Sequence, residues 1–156
     1  MYILNAQGNL AATYQMLGRF ESALEVYRDI LSGHVRLHGE EHEHSVVAAY
    51  NYATPLYELQ RFEESKGVLR NAIPVAQRVL GGNHELTLKM KDVYARTLYY
   101  ANGATLDDLR EAVTTLEETA RTARRVLGGA HPDVAGIEQA LQQARAVLRA
   151  NEETQP

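Results

Sequence analysis

The sequence predicts an all-α fold built from stacked copies of a helical hairpin. The first observation behind this prediction is an internal repeat: residues 5–42 align without a gap on residues 47–84, with identical residues at 12 of 38 positions. A third copy is marked by "QRVLGGNH" at 77–84, which returns as "RRVLGGAH" at 124–131. The second observation is that apolar residues recur at steps of three and four, as on amphipathic helices. Such self-similarity is typical of proteins that stack repeated units.

The first copy divides into two predicted helices, at about 4–17 and 20–37. In the second of these, Phe20, Leu24, Tyr27 and Leu31 form an apolar stripe. Gly18 suits the left-handed residue that ends a helix, and only Arg19 separates it from Phe20. A connection this short predicts that the two helices run antiparallel.

Two further hairpins and one last helix follow in the same way. Helices are predicted at about 43–59 with 62–79 and at about 85–101 with 106–127, where Thr105 is the expected N-cap with Asp108 three residues later. Glycines stop the second helix of each copy at "HGEEHEH", "GGNHE" and "GGAHPD". A capping helix is predicted at about 132–150. We therefore expect one domain over residues 1–150 and a disordered tail at 151–156.

The pattern "NLAxxYxxLGRFExALxxYRxxL…GxxH" resembles the tetratricopeptide repeat in its 42-residue form, as found in kinesin light chains and nephrocystin-like proteins. The resemblance covers nearly the whole chain. It implies a right-handed superhelical solenoid of about seven helices, in which the first helix of each hairpin lines a concave groove. It also implies that Asn9 and Asn51 match the asparagine that lines the ligand groove of kinesin light chain repeats.

Composition excludes several functional classes. The chain has no cysteine, so thiolate metal ligands, disulfides and cysteine nucleophiles are absent, and a cytoplasmic location is expected. A net charge of −4 disfavours nucleic acid as a partner. No apolar run is long enough to span a membrane, and no signal-peptide pattern is visible.

The histidines are the only residues whose pattern suggests chemistry. His34, His38, His42 and His44 lie within eleven positions, and a metal-dependent enzyme is one reading of them. However, Gly39 should break the helix before His42, which argues against a compact site. His42 is also the repeat equivalent of His84 and His131, as expected of a residue that locks a loop. We therefore predict no metal, no cofactor and no catalytic residue.

The groove is the predicted site of partner binding. Asparagine amides can pair with a peptide backbone and tyrosines offer broad contact area, which favours an extended peptide as the ligand. Lys89 and Arg96 favour an acidic ligand, although Asp92 lies between them. The predicted partner-binding residues are Asn5, Asn9, Tyr50, Asn51, Thr54, Tyr57, Lys89, Arg96, Tyr99 and Tyr100.

The sequence thus predicts a non-catalytic scaffold that captures a peptide or helix of a partner protein in its groove. The alternative is a structural segment that associates with itself or with further repeats. On that reading, apolar side chains on the outer flank of the first helix would pack on another copy, giving a homo-oligomer, or on neighbouring repeats of a longer array.

Overall fold

The fold consists of helices and connecting turns only. The computed structural model describes residues 2–154, and within them the side chains of residues 2, 3 and 5 are not described. No strand occurs in this range, so the predicted all-α class is confirmed. The seven predicted helices are also confirmed, at α1 (Tyr2–Met16), α2 (Phe20–His38), α3 (Glu43–Glu58), α4 (Phe62–Val79), α5 (Glu85–Tyr100), α6 (Leu106–Leu127) and α7 (Pro132–Thr154).

The seven helices fall into two compact units, Met1–Leu80 and Gly81–Pro156. In unit 1, α1 packs against α2, α2 against α3, and α3 against α4. Small and aromatic side chains form its first core cluster: Ala11, Ala23, Tyr27, Ile30 and Ala48 are all buried. The alanines allow the helix backbones to approach closely. The prediction of one domain over residues 1–150 stays a prediction.

The turns inside the two hairpins of unit 1 have the same geometry. Gly18 and its repeat equivalent Gln60 both adopt a left-handed backbone, with φ of 70° and 58°. In each turn the next arginine closes the helix end: Arg19 N donates to Tyr14 O at 2.8 Å, and Arg61 N to Leu56 O at 2.9 Å. These six-to-one hydrogen bonds, with a left-handed residue just before the donor, identify both turns as Schellman motifs.

Each of the two loops between hairpins is closed by an equivalent hydrogen bond from a side-chain hydroxyl. Ser45 Oγ donates to Gly39 O at 2.6 Å, and Thr87 Oγ1 donates to Gly81 O at 2.9 Å. Both glycines have positive φ, of 84° and 98°, which other residues adopt only with strain. Each hydroxyl thus ties a glycine of the loop to the first turn of the helix that follows it.

Unit 2 contains α5, α6 and α7, and α7 packs against both of the other helices. The predicted cap at Thr105 is confirmed as a full capping box with Asp108. α7 continues four residues beyond its predicted end and reaches Thr154, and Arg110 pairs with Glu152 in this extension at 3.4 Å. Residues 155–156 of the predicted tail lie outside the described residues.

Pro55 and Pro74 lie inside α3 and α4, and both helices continue through them.

Among the described residues, every helix is too short or too polar to cross a membrane.

Candidate functional site

A cleft of about 700 Å³ opens in unit 1 between α1, α2 and α3. Its volume lies within the range of natural ligand sites. Residues of all three helices contribute to its wall, among them Gly8, Asn9, Ala12, His34, His44 and Asn51. Gly8 and Ala12 have small side chains, so they leave open space on the α1 side of the cleft. A Cβ added at Gly8 would meet no atom within 4 Å.

Two predicted site residues, Asn9 and Asn51, face this cleft together. They occupy equivalent positions of the first two repeats, on α1 and α3. Asn9 is exposed and Asn51 is half-buried. Among the described residues, neither side-chain amide forms a hydrogen bond, so their donors and acceptors are available to a ligand.

The other predicted residues of unit 1 with described side chains, Tyr50, Thr54 and Tyr57, lie on α3 outside the cleft wall. The side chain of Asn5 lies outside the described part of the chain. Thr54 Oγ1 donates to Tyr50 O at 2.9 Å, one turn earlier in α3. Tyr57 packs edge-on against Phe62 of α4, with ring centroids 5.6 Å apart. Tyr50, Thr54 and Tyr57 are all half-buried.

The predicted basic residues of unit 2 have acidic partners within the unit. Lys89 pairs with Glu85 at 2.6 Å and with Asp133 of α7 at 3.5 Å. Its hydrogen bond with Glu85 is the main cause that raises the pKa of Lys89. Arg96 donates to Asp92 at 3.0 Å, and burial raises the pKa of the Asp92 carboxyl although Arg96 opposes this. The positive charge expected to attract an acidic ligand is therefore largely balanced inside unit 2.

Tyr99 and Tyr100 also contact α7. Both hydroxyls donate to Gln143 Oε1, at 3.3 Å and 3.2 Å, and the two rings lie 4.5 Å apart. Tyr99 is only 6% exposed. No local sequence pattern indicates this arrangement, because the contacts depend on the packing of α7, and Gln143 lies more than forty residues further along the chain.

The predicted structural role of the recurring loop histidine is confirmed. His42 and His84 are the N-caps of α3 and α5, and their Nδ1 atoms accept hydrogen bonds from the backbone N–H groups of His44 and Leu86. His131 Nδ1 accepts from Asp133 N at 3.2 Å in the same way. An acceptor at this place satisfies a backbone N–H that the first turn of a helix leaves unpaired.

The four histidines form a compact group, so the expectation from their spacing is wrong. Gly39 does end α2, but the short loop after it returns directly to the start of α3, so the four imidazoles at positions 34, 38, 42 and 44 come together. Desolvation lowers the pKa of His34, and electrostatic repulsion from the neighbouring imidazoles lowers it further. The pKa of His38 is lowered by the same causes, with desolvation first. The signal was the four-residue spacing of His34 and His38, which places both on one helix face.

No curated protein sequence matches the chain. Two family models, both described as tetratricopeptide repeat, match residues 2–65 and 104–133, which together exceed half of the chain.

Solved structures show the same fold. The nearly identical TPR-like repeats of a Podosopora anserina protein assigned as a kinesin light chain are 23% identical, with a TM-score of 0.81 over 96% of this chain and 69% of that one. A single-substitution variant of that protein gives a TM-score of 0.82, again at 23% identity, over 96% of this chain and 68% of that one. BtubC (BKLC) from P. vanneervenii is 19% identical, with a TM-score of 0.60 over 98% of this chain and 66% of that one. With its repeats, its turn geometry and both family matches in agreement, the chain belongs to the tetratricopeptide repeat family, whose members are in general scaffolds for protein interactions.

Proposed function

We propose that the unit 1 cleft binds an extended peptide segment of a partner protein and that the chain acts as a non-catalytic scaffold. The observation that supports this proposal is the position of Asn9 and Asn51. These two equivalent amides face one cleft and make no hydrogen bond within the described protein. Two side-chain amides at equivalent positions of successive repeats, each without a hydrogen-bond partner in the protein, suit a ligand whose own hydrogen-bonding groups recur at regular intervals. A peptide backbone is such a ligand.

The chemistry of the amide group favours a peptide over a compact small molecule. Each asparagine can donate one hydrogen bond to a peptide carbonyl and accept one from a peptide N–H. Gly8 and Ala12 leave room for the ligand backbone beside Asn9. Tyr50, Thr54 and Tyr57, together with Asn5, are the proposed flanking contacts. Lys89, Arg96, Tyr99 and Tyr100 are proposed as a secondary contact surface of unit 2.

Selection from a displayed library of random linear peptides tests this proposal. We expect enriched peptides whose affinity falls about 30-fold in Asn51→Ala, since two hydrogen bonds of about 1 kcal/mol each are lost. The double variant Asn9→Ala/Asn51→Ala should abolish measurable binding. Circular dichroism checks that helicity is unchanged.

The matched control removes two amides elsewhere. Asn71 on α4 and Asn102 in the loop before α6 are exposed and lie outside the cleft wall, so Asn71→Ala/Asn102→Ala should bind the enriched peptides as the unmodified protein does. Peptides that bind the Asn9→Ala/Asn51→Ala variant with unchanged affinity would refute the cleft as the site, and failure to enrich any peptide would refute the peptide class.

Self-association is the second candidate function, because apolar side chains on α1 and directly after it are exposed. Leu10, Met16 and Leu17 are 46%, 88% and 67% exposed. If they mediate assembly, the mass measured by light scattering should rise with concentration, and Met16→Ser/Leu17→Ser should return it to that of one chain. A mass of one chain at every concentration would exclude this candidate.

A cytoplasmic location is part of the proposed function and is supported by the absence of cysteine. Cell fractionation with an antibody against the chain is the direct test, and recovery from the secreted or membrane fraction would contradict it.

A further inference from the structure

The boundary between the first two repeats carries a cluster of four histidines. His34 and His38 come from the last turns of α2, His42 from the loop and His44 from the first turn of α3. Neighbouring ring centroids are 4.5 Å apart for positions 38 and 42, 5.0 Å for 42 and 44, and 5.3 Å for 34 and 44. Among the described residues, no carboxylate forms an ion pair with any of these four rings.

The repeat fold does not require three of these four histidines. One repeat later, the positions of His34, His38 and His44 are taken by Ala76, Leu80 and Leu86, and the boundary there has the same glycine turn and the same histidine cap. Only His42 has a histidine at its equivalent position, because it caps a helix. The three additional imidazoles therefore need an explanation other than folding.

The three side chains present donor atoms to one point. One ring nitrogen from each of His34, His38 and His44 lies within 4.8 Å of the other two. Bonds of 2.0–2.1 Å to a tetrahedral zinc ion would separate such nitrogens by about 3.3 Å, so modest rotations of the exposed rings at positions 38 and 44 would complete the geometry.

A second, independent observation comes from His34. Its Nδ1 is inaccessible to solvent and has no hydrogen-bond partner among the described residues. A buried polar atom without a partner is costly, and a bound ion or water is one of its recognised explanations.

We propose that His34, His38 and His44 bind one divalent transition-metal ion, with Zn²⁺ as the favoured occupant, and leave its fourth position open to solvent or a ligand. Neutral imidazole is a good ligand for Zn²⁺, Cu²⁺ and Ni²⁺, whereas Mg²⁺ and Ca²⁺ require oxygen ligands. The ion would link the end of α2 to the start of α3 and so stabilise the junction of the first two hairpins. His42 is a positioning residue here, because its Nδ1 already accepts the hydrogen bond from His44 N.

Calorimetric titration of ZnCl₂ into the full chain, purified without a histidine tag and treated with a chelator, tests the proposal. We expect one ion per chain and, at hundredfold excess over the dissociation constant, a rise of the thermal midpoint by about 5–10 °C. Titration with Co²⁺ should produce the intense visible absorption of a tetrahedral site. MgCl₂ should produce neither heat of binding nor a change in the midpoint.

Variants separate this site from adventitious binding. The triple variant His34→Ala/His38→Leu/His44→Leu carries the residues of the second repeat, so it should fold and should bind zinc at least roughly 100-fold more weakly. The matched control His84→Gln changes an exposed histidine outside the cluster and should bind as the unmodified protein does. Equal affinity in the triple variant, equal losses in both variants, or the absence of stoichiometric binding would each overturn the proposal.

Discussion

The left-handed residue at the end of α3 offers a sharp test of the repeat geometry. Gln60 is the one described residue other than glycine with positive φ, at 58°, and its repeat equivalent is Gly18 at 70°. Both residues precede the arginine that closes the same Schellman hydrogen bond, so the first repeat shows that glycine fits this place. We expect Gln60→Gly to stabilise the protein.

The size of the effect follows from two opposing contributions. A left-handed backbone costs a residue with a side chain about 1–2 kcal/mol, and glycine removes this cost. The greater freedom of glycine in the unfolded chain offsets about 0.5–1 kcal/mol of that gain. The free energy of unfolding should therefore rise by about 0.5–1 kcal/mol. Gln60 is exposed, so the loss of its side chain should cost little packing energy.

Urea denaturation followed by circular dichroism measures this difference. Gln60→Ala is the matched control, because it removes the same side chain but keeps the strained backbone, and it should leave the free energy of unfolding nearly unchanged. The reciprocal variant Gly18→Ala should lower that free energy by about 1 kcal/mol. If Gln60→Gly were neutral or destabilising, or if Gln60→Ala stabilised as much, backbone strain would not be the reason.

Three further changes probe the caps, the core and the buried charge. His84→Ala should lower the free energy of unfolding by about 1 kcal/mol, as measured by urea denaturation, because the acceptor for Leu86 N is lost. His84→Asp should restore that free energy, because an aspartate side chain can accept the same hydrogen bond. Leu69→Ala should cost about 2–5 kcal/mol in the same assay, since this side chain is fully buried, whereas exposed Leu17→Ala should cost little; equal losses would contradict the burial argument. Burial raises the pKa of Asp92 in the folded protein, so the protonated form stabilises the fold at low pH and this contribution is lost as pH rises above about 4. Asp92→Asn should therefore become more favourable, relative to the unmodified protein, between pH 4 and pH 7, and an opposite trend in unfolding free energies would refute this.

Features set by neighbours in sequence could be predicted, and features set by distant packing could not. The helix bounds, the capping box at Thr105 and the caps at His42, His84 and His131 each depend on a few adjacent residues. By contrast, Lys89 was predicted to be available to a ligand, but Asp133 at the start of α7 is within ion-pair distance of it. No local pattern could have shown this, because it depends on the packing of α7.

The clustering of the four histidines was not predicted, for a different reason. Gly39 ends α2 as predicted, but the end of this helix does not separate the residues on its two sides. With a left-handed Gly39 and a cap at His42, the loop of four residues, 39–42, instead returns the chain to α2, and His44 is placed against the last turns of that helix. A helix break therefore brings ligands together when the loop after it is short and closed by hydrogen bonds.

Comparison of the copies separates the residues that fold this protein from those available for function. Positions shared between copies that have a partner inside the chain, such as His42 and its equivalents, are explained by the repeat fold. Asn9 and Asn51 are also shared but use no internal partner, which is the basis for the proposed ligand common to both repeats. His34 occurs in one copy only, and buried Ala76 takes its place in the second copy, so any chemistry of this imidazole belongs to the first boundary alone. The peptide cleft and the metal site thus rest on two different kinds of evidence, and either can fail in experiment without the other.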